Sequence, residues 1–323
     1  MREKRLLLLT GNFYPEPTGI GKYTGEMIDW LANSGYSCTV VTTYPYYPFW
    51  KVQDSYADRR FQFRKERIGL NGTAYEVIRC PHYVPGNPTG FKRIISDFSF
   101  FVSCFAAALK YFFKKRYPYI LVVAPPFQLG ILGVFYKWTK GAKFLYHIQD
   151  LQIDAARDLK LIRSKLVINL LFRVEKFILN QADVITGISP GMIQKISEKC
   201  KKEVFSFPNW VDTQVFYPLP EQNFLKKEFG FMPSDKIVLY SGAIGEKQGL
   251  ETVIDAADIL KHSTHIKFII CGSGPYQKRL VDLARRRGLS NVFFLPVQPV
   301  EILNRFLNMA DVHLVIQKST ASD

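Results

Sequence analysis

Short aliphatic runs recur along this chain, and the stretches between them read as amphipathic helices. The first run, "RLLLLT" at residues 5–10, has no polar alternation. A strand with one wet face alternates, so an unbroken run predicts a strand buried on both faces of a parallel sheet. "SCTVVT" at 37–42, residues 75–79, "YILVVA" at 119–124, residues 143–147 and "DVITGIS" at 183–189 read the same way. Pro125 and Pro126 stop the fourth of these. Helices are predicted over 19–34 (ending near Gly35), 91–116, 128–139 and about 160–181, with a short one from Pro190. Residues 43–75 are aromatic, proline-containing and charged, without clear periodicity, and "CPHYVPGNPTG" at 80–90 reads as a loop. Alternating strands and helices are the mark of an α/β fold.

"VFSFPNWVDTQVFYPLP" at 204–220 breaks the rhythm with three prolines and reads as an interdomain linker. A second alternation follows it. Strands are predicted at 236–241, 266–271, 292–295 and 312–316, and helices at 249–261, 276–287 and 300–308. The expected organisation is therefore a first domain at 1–205, a linker at 206–220 and a second domain at 221–323. A length of 323 residues, too great for one ordinary core, agrees with two domains. The sequence stops at "STASD", directly after a strand. A doubly wound domain should cover its last strand with a helix, so the second domain is expected to be incomplete.

Composition adds limits. Hydrophobic residues make up 47% and charged residues 22%, a globular balance. The apolar part of the first ten residues is only 6–9, which predicts a strand rather than a secretory signal. The cysteines (Cys38, Cys80, Cys104, Cys200 and Cys271) are scattered, with no C-x-x-C pair. That argues against a metal site or a disulfide framework, suits a reducing cytosol, and predicts small buried hydrophobes. The net charge of +15 attracts nucleic acid, anionic lipid or phosphorylated substrates.

Chemistry first shows in "PEPTGIGKYTGEM" at 15–27, with Gly19, Gly21 and Gly25 after the first strand. In a dinucleotide fingerprint the glycines follow the strand at once, and an acid about 20 residues on holds the ribose. Here eight residues, "GNFYPEPT", intervene, and the next strand ends "VVTTYPYY" with no acid. Two readings remain. Gly19 and Gly21 bring backbone N–H groups to a phosphate at the helix start, or they serve only the tight entry into that helix.

The segment resembles the amino-terminal glycine loop of family 4 retaining glycosyltransferases, which have the GT-B fold. Further matches follow in order: "APPFQLG" at 124–130, "YHIQDLQIDAA" at 146–156, "ADVITGISPGM" at 182–192, "FPNWVDTQVFYP" at 207–218, "LYSGAIGEKQGLETVIDAA" at 239–257 and "CGSGPYQKRL" at 271–280. They span the whole chain. The "SGxIGxKQGLE" form is most similar to the subgroup that makes colanic acid and capsular polysaccharides.

The resemblance implies two Rossmann-like, doubly wound parallel-sheet domains facing a cleft. It implies transfer of a sugar from a nucleotide-diphosphate sugar, with no cofactor and no metal. Lys247 is the candidate cation for the leaving diphosphate, where fixed charge lowers the barrier. Gly242, Gly245, Gly272 and Gly274, with Gly19 and Gly21, are implied donor contacts, and Val297 is where the family holds the base through main-chain atoms. His147 is implied to meet the donor sugar and act with Lys247 in catalysis. Asp150 and Asp154 fall on the acceptor side. Many members carry an arginine directly after the glycine at 242; this chain has Ala243. One cation is thus missing or supplied elsewhere, and Lys318, just past the final strand, is a possible substitute. The family's E-x7-E motif, expected after the final strand, does not occur within 323 residues. His82, His262, His265 and His313 show no partner pattern.

The charge clusters in the first domain. "FKRIISDFSFFVSCFAAALKYFFKKR" at 91–116 has an uncharged core at 98–109, too short to span a bilayer. Lys92 and Arg93 flank it on one side and Lys110, Lys114, Lys115 and Arg116 on the other. The helix at 160–178 adds Lys160, Arg163, Lys165, Arg173 and Lys176. That pattern suits an interfacial helix on anionic lipid, or a helix packed on the sheet with solvated ends. No nucleic-acid reader motif is present. The expected function is glycosyl transfer to a polyprenyl-diphosphate-linked acceptor in exopolysaccharide or capsule synthesis, at the inner face of the cytoplasmic membrane. An NAD-dependent epimerase or reductase and a non-catalytic membrane-binding homologue are the alternatives.

Overall fold

The computed structural model describes residues 4–17, 19–69, 73–112, 116–158, 161–162, 164–220 and 222–318, with the side chains of 110–112 and 222–223 left out. The chain divides into two compact units between Trp210 and Val211. Each is built on a largely parallel sheet.

The first unit runs β1 (Arg5–Thr10), α1 (Gly19–Asn33), β2 (Ser37–Thr43), a 3-10 turn (Asp54–Arg59), β3 (Arg64–Ile68), β4 (Tyr75–Cys80), α2 (Gly90–Phe112), β5 (Tyr119–Ala124), α3 (Leu129–Lys140), β6 (Lys143–Ile148), α4 (Gln152–Asp158), α5 (Lys165–Gln181), β7 (Val184–Gly187), α6 (Pro190–Lys199) and β8 (Val204–Ser206). The strands lie in the order β3-β4-β2-β1-β5-β6-β7-β8. The leucines of β1 explain why both faces are covered. Leu7 and Leu9 pack with Phe100 and Cys104 of α2, Leu132 of α3 and Ile178 of α5. Leu6 and Leu8 point the other way and pack with Met27 and Ile28 of α1. Period-two geometry thus turns one aliphatic run into two cores.

The second unit runs α7 (Gln222–Glu228), β9 (Lys236–Ala243), a 3-10 turn (Glu246–Gln248), α8 (Glu251–Ile259), β10 (Ile266–Ser273), α9 (Gln277–Arg286), β11 (Val292–Leu295), α10 (Val300–Asn308) and β12 (Val312–His313). Its strand order is β11-β10-β9-β12. Leu239 and Ile269 face Phe306 and Met309 on one side, while Tyr240 and Ile270 face Ile254 and Leu280 on the other.

Several elements differ from expectation. β3 lies inside the stretch that showed no periodicity and pairs antiparallel with β4. Its sequence RKERI has one aliphatic residue, because it is an edge strand and charge there blocks pairing with another chain. The segment expected to be all linker begins with β8, paired to β7. α4 and α7 are too short to show a period. β12 spans two residues instead of the five expected. All five cysteines are buried and free.

Candidate functional site

In the second unit the candidate donor residues gather at the carboxyl edge of one sheet. β9 and β10 run in register to their ends, where Gly242 pairs with Gly272 and Ala243 with Ser273. The turns that follow interlock. The Ile244 N–H donates to the Ser273 carbonyl (2.9 Å), and the Tyr276 N–H donates to the Ile244 carbonyl (3.2 Å). The backbones approach so closely that a Cβ on Gly272 would lie 1.8 Å from the Gly242 carbonyl oxygen. A Cβ on Gly274 would lie 2.1 Å from that of Ile244. Two glycine motifs 30 residues apart are therefore one piece of structure. Val297 is exposed just past β11, the neighbouring strand.

Lys247 is exposed on the 3-10 turn. Gly249, in the left-handed region with φ 64°, then redirects the chain, and α8 starts only at Glu251. The sequence placed the helix start near Gly249. The structure puts a carboxylate in the first turn instead. Burial opposes ionisation of Glu251, but the Tyr276 hydroxyl and the nearby Lys318 charge hold its carboxyl below the usual range. Gly245 donates its N–H to Gln248 Oε1 at 3.1 Å, tightening the turn.

In the first unit the glycine loop has a partner that spacing did not reveal. Gly19 takes φ 62° at the entry to α1. A Cβ on Gly21 would meet Glu16 Cβ and Oε2 at 2.6 Å. Glu16 is buried, and its Oε1 accepts the N–H groups of Tyr46 and Tyr47, both at 3.0 Å. Asn12 donates to its Oε2 at 2.9 Å. Glu16 thus ties the glycine loop to the segment after β2, and Gly21 makes room for it.

Burial is the largest influence on the Glu16 carboxyl. Against its hydrogen bonds and the Arg79 charge, the carboxyl is pushed up to about 7 from an ordinary 4.5. Between those values the folded chain keeps a proton that the unfolded chain has released, so stability falls as pH rises through this window. Glu16→Gln keeps an oxygen for the two tyrosine amides and has no charge to bury. Its stability relative to the parent should therefore climb between pH 4.5 and about 7 and level off above. Urea unfolding across that range checks this; a pH-independent difference would contradict it.

Arg79 is the second residue the sequence did not flag. It is fully buried at the end of β4. Its guanidinium donates to Glu66 Oε1 (2.6 Å), to the Thr43 carbonyl (3.2 Å) and to the Tyr14 carbonyl (2.5 Å). It joins the edge strand, the end of β2 and the glycine loop. Nothing in a lone arginine near a strand end announces that.

His147 is the last residue but one of β6, between Val123 and Thr186 of the adjacent strands. Its Nδ1 lies 2.8 Å from Thr186 Oγ1, and the Phe207 ring packs edge-on at 5.2 Å. Burial lowers its pKa to about 4. At neutral pH it is an uncharged imidazole, able to hydrogen bond but not to act as a fixed cation. Asp150 is half-buried in the turn before α4. Asp154 lies apart from that turn, within α4. It is buried and paired with Lys199 of α6 and with Arg157, and Lys199 also holds Glu175 of α5 at 2.9 Å. This network fastens three helices.

Lys92 and Arg93 of α2 are exposed, as is Arg116 after it. The Lys110 side chain and all of Lys114 and Lys115 lie outside the described residues, as do Lys160 and Arg163. The inner face of α2 packs on the sheet through Phe100, Cys104 and Ala108. Its outer face leaves Phe91, Phe98, Val102 and Phe105 exposed. The exposed apolar surface continues through Phe105–Phe135 and Trp138–Phe177 ring contacts onto α3 and α5. Among the described residues, no helix is long and apolar enough to cross a membrane, and no group of three or more His, Cys, Asp or Glu could hold a metal ion.

Comparison with known proteins follows this division of the chain. Residues 18–204 match the glycosyl transferase 4-like domain, and residues 221–320 match glycosyl transferases group 1. The chain is 39% identical over 326 aligned positions to WcaI of Escherichia coli K12, named as a colanic acid biosynthesis glycosyl transferase. That match covers 99% of this chain and 78% of WcaI. Among solved structures, sucrose-phosphate synthase from Thermosynechococcus elongatus superposes with a TM-score of 0.70 at 18% identity, over 96% of this chain and 74% of that one. Anabaena HepE, solved with UDP and glucose, gives 0.61 at 14% identity, over 96% and 73%.

Proposed function

This chain belongs to the group 1 and 4-like glycosyltransferases and has the GT-B fold, and from that premise we propose that it moves a sugar from a nucleoside-diphosphate sugar to a lipid-linked saccharide in exopolysaccharide or capsule synthesis, with retention. The observation that carries this reading is the donor edge of the second unit. There Gly242, Lys247, Gly272, Gly274 and Val297 lie at the carboxyl ends of β9, β10 and β11. Ligands of open α/β sheets bind at that edge. HepE, of the same fold, was solved with UDP.

The reaction breaks the bond from the sugar's anomeric carbon to the diphosphate oxygen and forms one to the acceptor oxygen. The acceptor's hydroxyl proton passes to the departing phosphate. Charge builds on the diphosphate, so an exposed cation beside it acts where it is needed. His147, neutral and held by Thr186, suits a hydrogen bond to the transferred sugar. Asp150 is the remaining acceptor-side candidate, because Asp154 is taken up by its ion pairs. Thermal unfolding with a panel of UDP-, GDP- and dTDP-sugars tests the reading. A nucleotide sugar should raise the melting temperature and NAD should not. Protection by NAD alone would favour the redox alternative.

The acceptor's lipid places the enzyme on a membrane surface. Exposed aromatics on α2, α3 and α5, beside Lys92, Arg93, Lys165, Arg173 and Lys176, fit the headgroup region of an anionic bilayer. Phe98 and Trp138 are each 62% exposed, so replacing both with serine should leave the fold intact. Such variants should bind phosphatidylglycerol vesicles at least about tenfold more weakly, since each large apolar side chain contributes about 1.5–3 kcal/mol when fully buried. Equal flotation of variant and parent would count against this surface.

A further inference from the structure

We infer that Lys318 supplies the second fixed cation for the leaving diphosphate. This rests on the reading of residues 242–249 as the diphosphate loop. The position after Gly242 is Ala243, which leaves Lys247 as the cation contributed by the loop itself. A diphosphate carries more than one negative charge as it departs, and one lysine balances it poorly.

The structure brings another lysine to the loop from 71 residues away. The backbone N–H of Lys318 donates to the Lys247 carbonyl at 2.9 Å, holding the segment after β12 against the 3-10 turn. Gly249 makes room for the side chain: a Cβ there would sit 3.0 Å from Lys318 Cγ. The stem lies along that glycine, and the amino group reaches over the turn. Nζ is 3.7 Å from Glu246 Oε1 and 5.9 Å from the centre of the Tyr276 ring. Tyr276 closes the Gly272–Gly274 turn, so the Lys318 head stands between the two motifs that make up the donor edge. The Glu246 side chain is 74% exposed and the pair is long. Solvent screens such a pair, and little is lost when Lys318 turns to a better anion.

The backbone bond survives any substitution of the side chain, which makes the test clean. Lys318→Gln removes the charge and keeps an unbranched polar side chain, though a shorter one; Lys318→Arg keeps the charge. Inorganic pyrophosphate is the probe, because it needs no knowledge of the base or sugar, and orthophosphate is the control. Calorimetry should show pyrophosphate binding weakened about tenfold in Lys318→Gln, the loss expected for one hydrogen bond to a charged group. Lys318→Arg should restore binding, and the melting temperatures should agree. If Lys247→Ala weakens pyrophosphate binding but Lys318→Gln does not, this inference falls while the loop reading stands. If the parent binds no pyrophosphate, or Lys247→Ala also leaves binding unchanged, both fall.

Discussion

Lys247→Ala should lower sugar transfer by about 10²–10³-fold, the loss typical of removing one preorganised group that stabilises developing charge. The melting temperature should stay where it was. The side chain is exposed on a short turn, and surface charges contribute little to folding. The turn is fixed by other means. Gly245 donates to Gln248, and Ile244 is locked to Ser273 and Tyr276. The loss therefore falls on turnover rather than on the shape of the loop. Steady-state kinetics with a saturating donor separates the two terms. A fall in kcat marks charge stabilisation in the transition state, whereas a rise in KM alone marks ground-state binding. Turnover within threefold of the parent would remove Lys247 from the mechanism.

Arg79→Ala is the most damaging single change expected in the first unit. Removing one partner of a buried ion pair costs about 3–5 kcal/mol, because the other charge is left uncompensated. Here Glu66, its side chain 13% exposed, would lose the guanidinium at 2.6 Å and keep only the longer Arg64 contact at 3.7 Å. The carbonyls of Thr43 and Tyr14 would lose their donor at the same time. Phe13 and Tyr56, whose rings lie 5.8 and 5.4 Å from the guanidinium, would border a cavity. Arg79→Lys should recover only part of the loss, since an ammonium cannot match the three-way fork. Urea unfolding measures the cost. A change under about 1 kcal/mol, the scale of a surface pair, would show that the network is not structural.

What the sequence disclosed and what it hid follow one rule. Features carried by a continuous run were visible. The leucines of β1 announced a strand buried on both faces, and both faces are buried. The alternation through residue 308 announced two parallel sheets, and both are there. Features that depend on two distant segments meeting were not visible. Gly21 looked like a phosphate contact because glycine before a helix often is one. Its lack of a side chain is explained by Glu16, which is itself tied to Tyr46 and Tyr47 some 30 residues on. Gly272 was legible as a turn, but the reason it must be glycine is the carbonyl of Gly242. Asp154 reads as an acid beside Asp150 until Lys199, 45 residues later, folds onto it. β3 stayed hidden for the opposite reason: an edge strand is dressed in charge and carries no apolar signal.

The central claim is that this protein transfers a sugar from a nucleoside diphosphate to a lipid-linked acceptor. The direct measurement supplies radiolabelled UDP-, GDP- and dTDP-sugars together with polyprenyl-diphosphate saccharides in anionic vesicles. It then counts the nucleoside diphosphate released and the label extracted with the lipid. One donor should yield the two products in equal amounts, only when acceptor is present, and Lys247→Ala should depress both together. Donor consumption that ignores the acceptor, or no consumption of any donor while NAD protects the protein, would contradict the account.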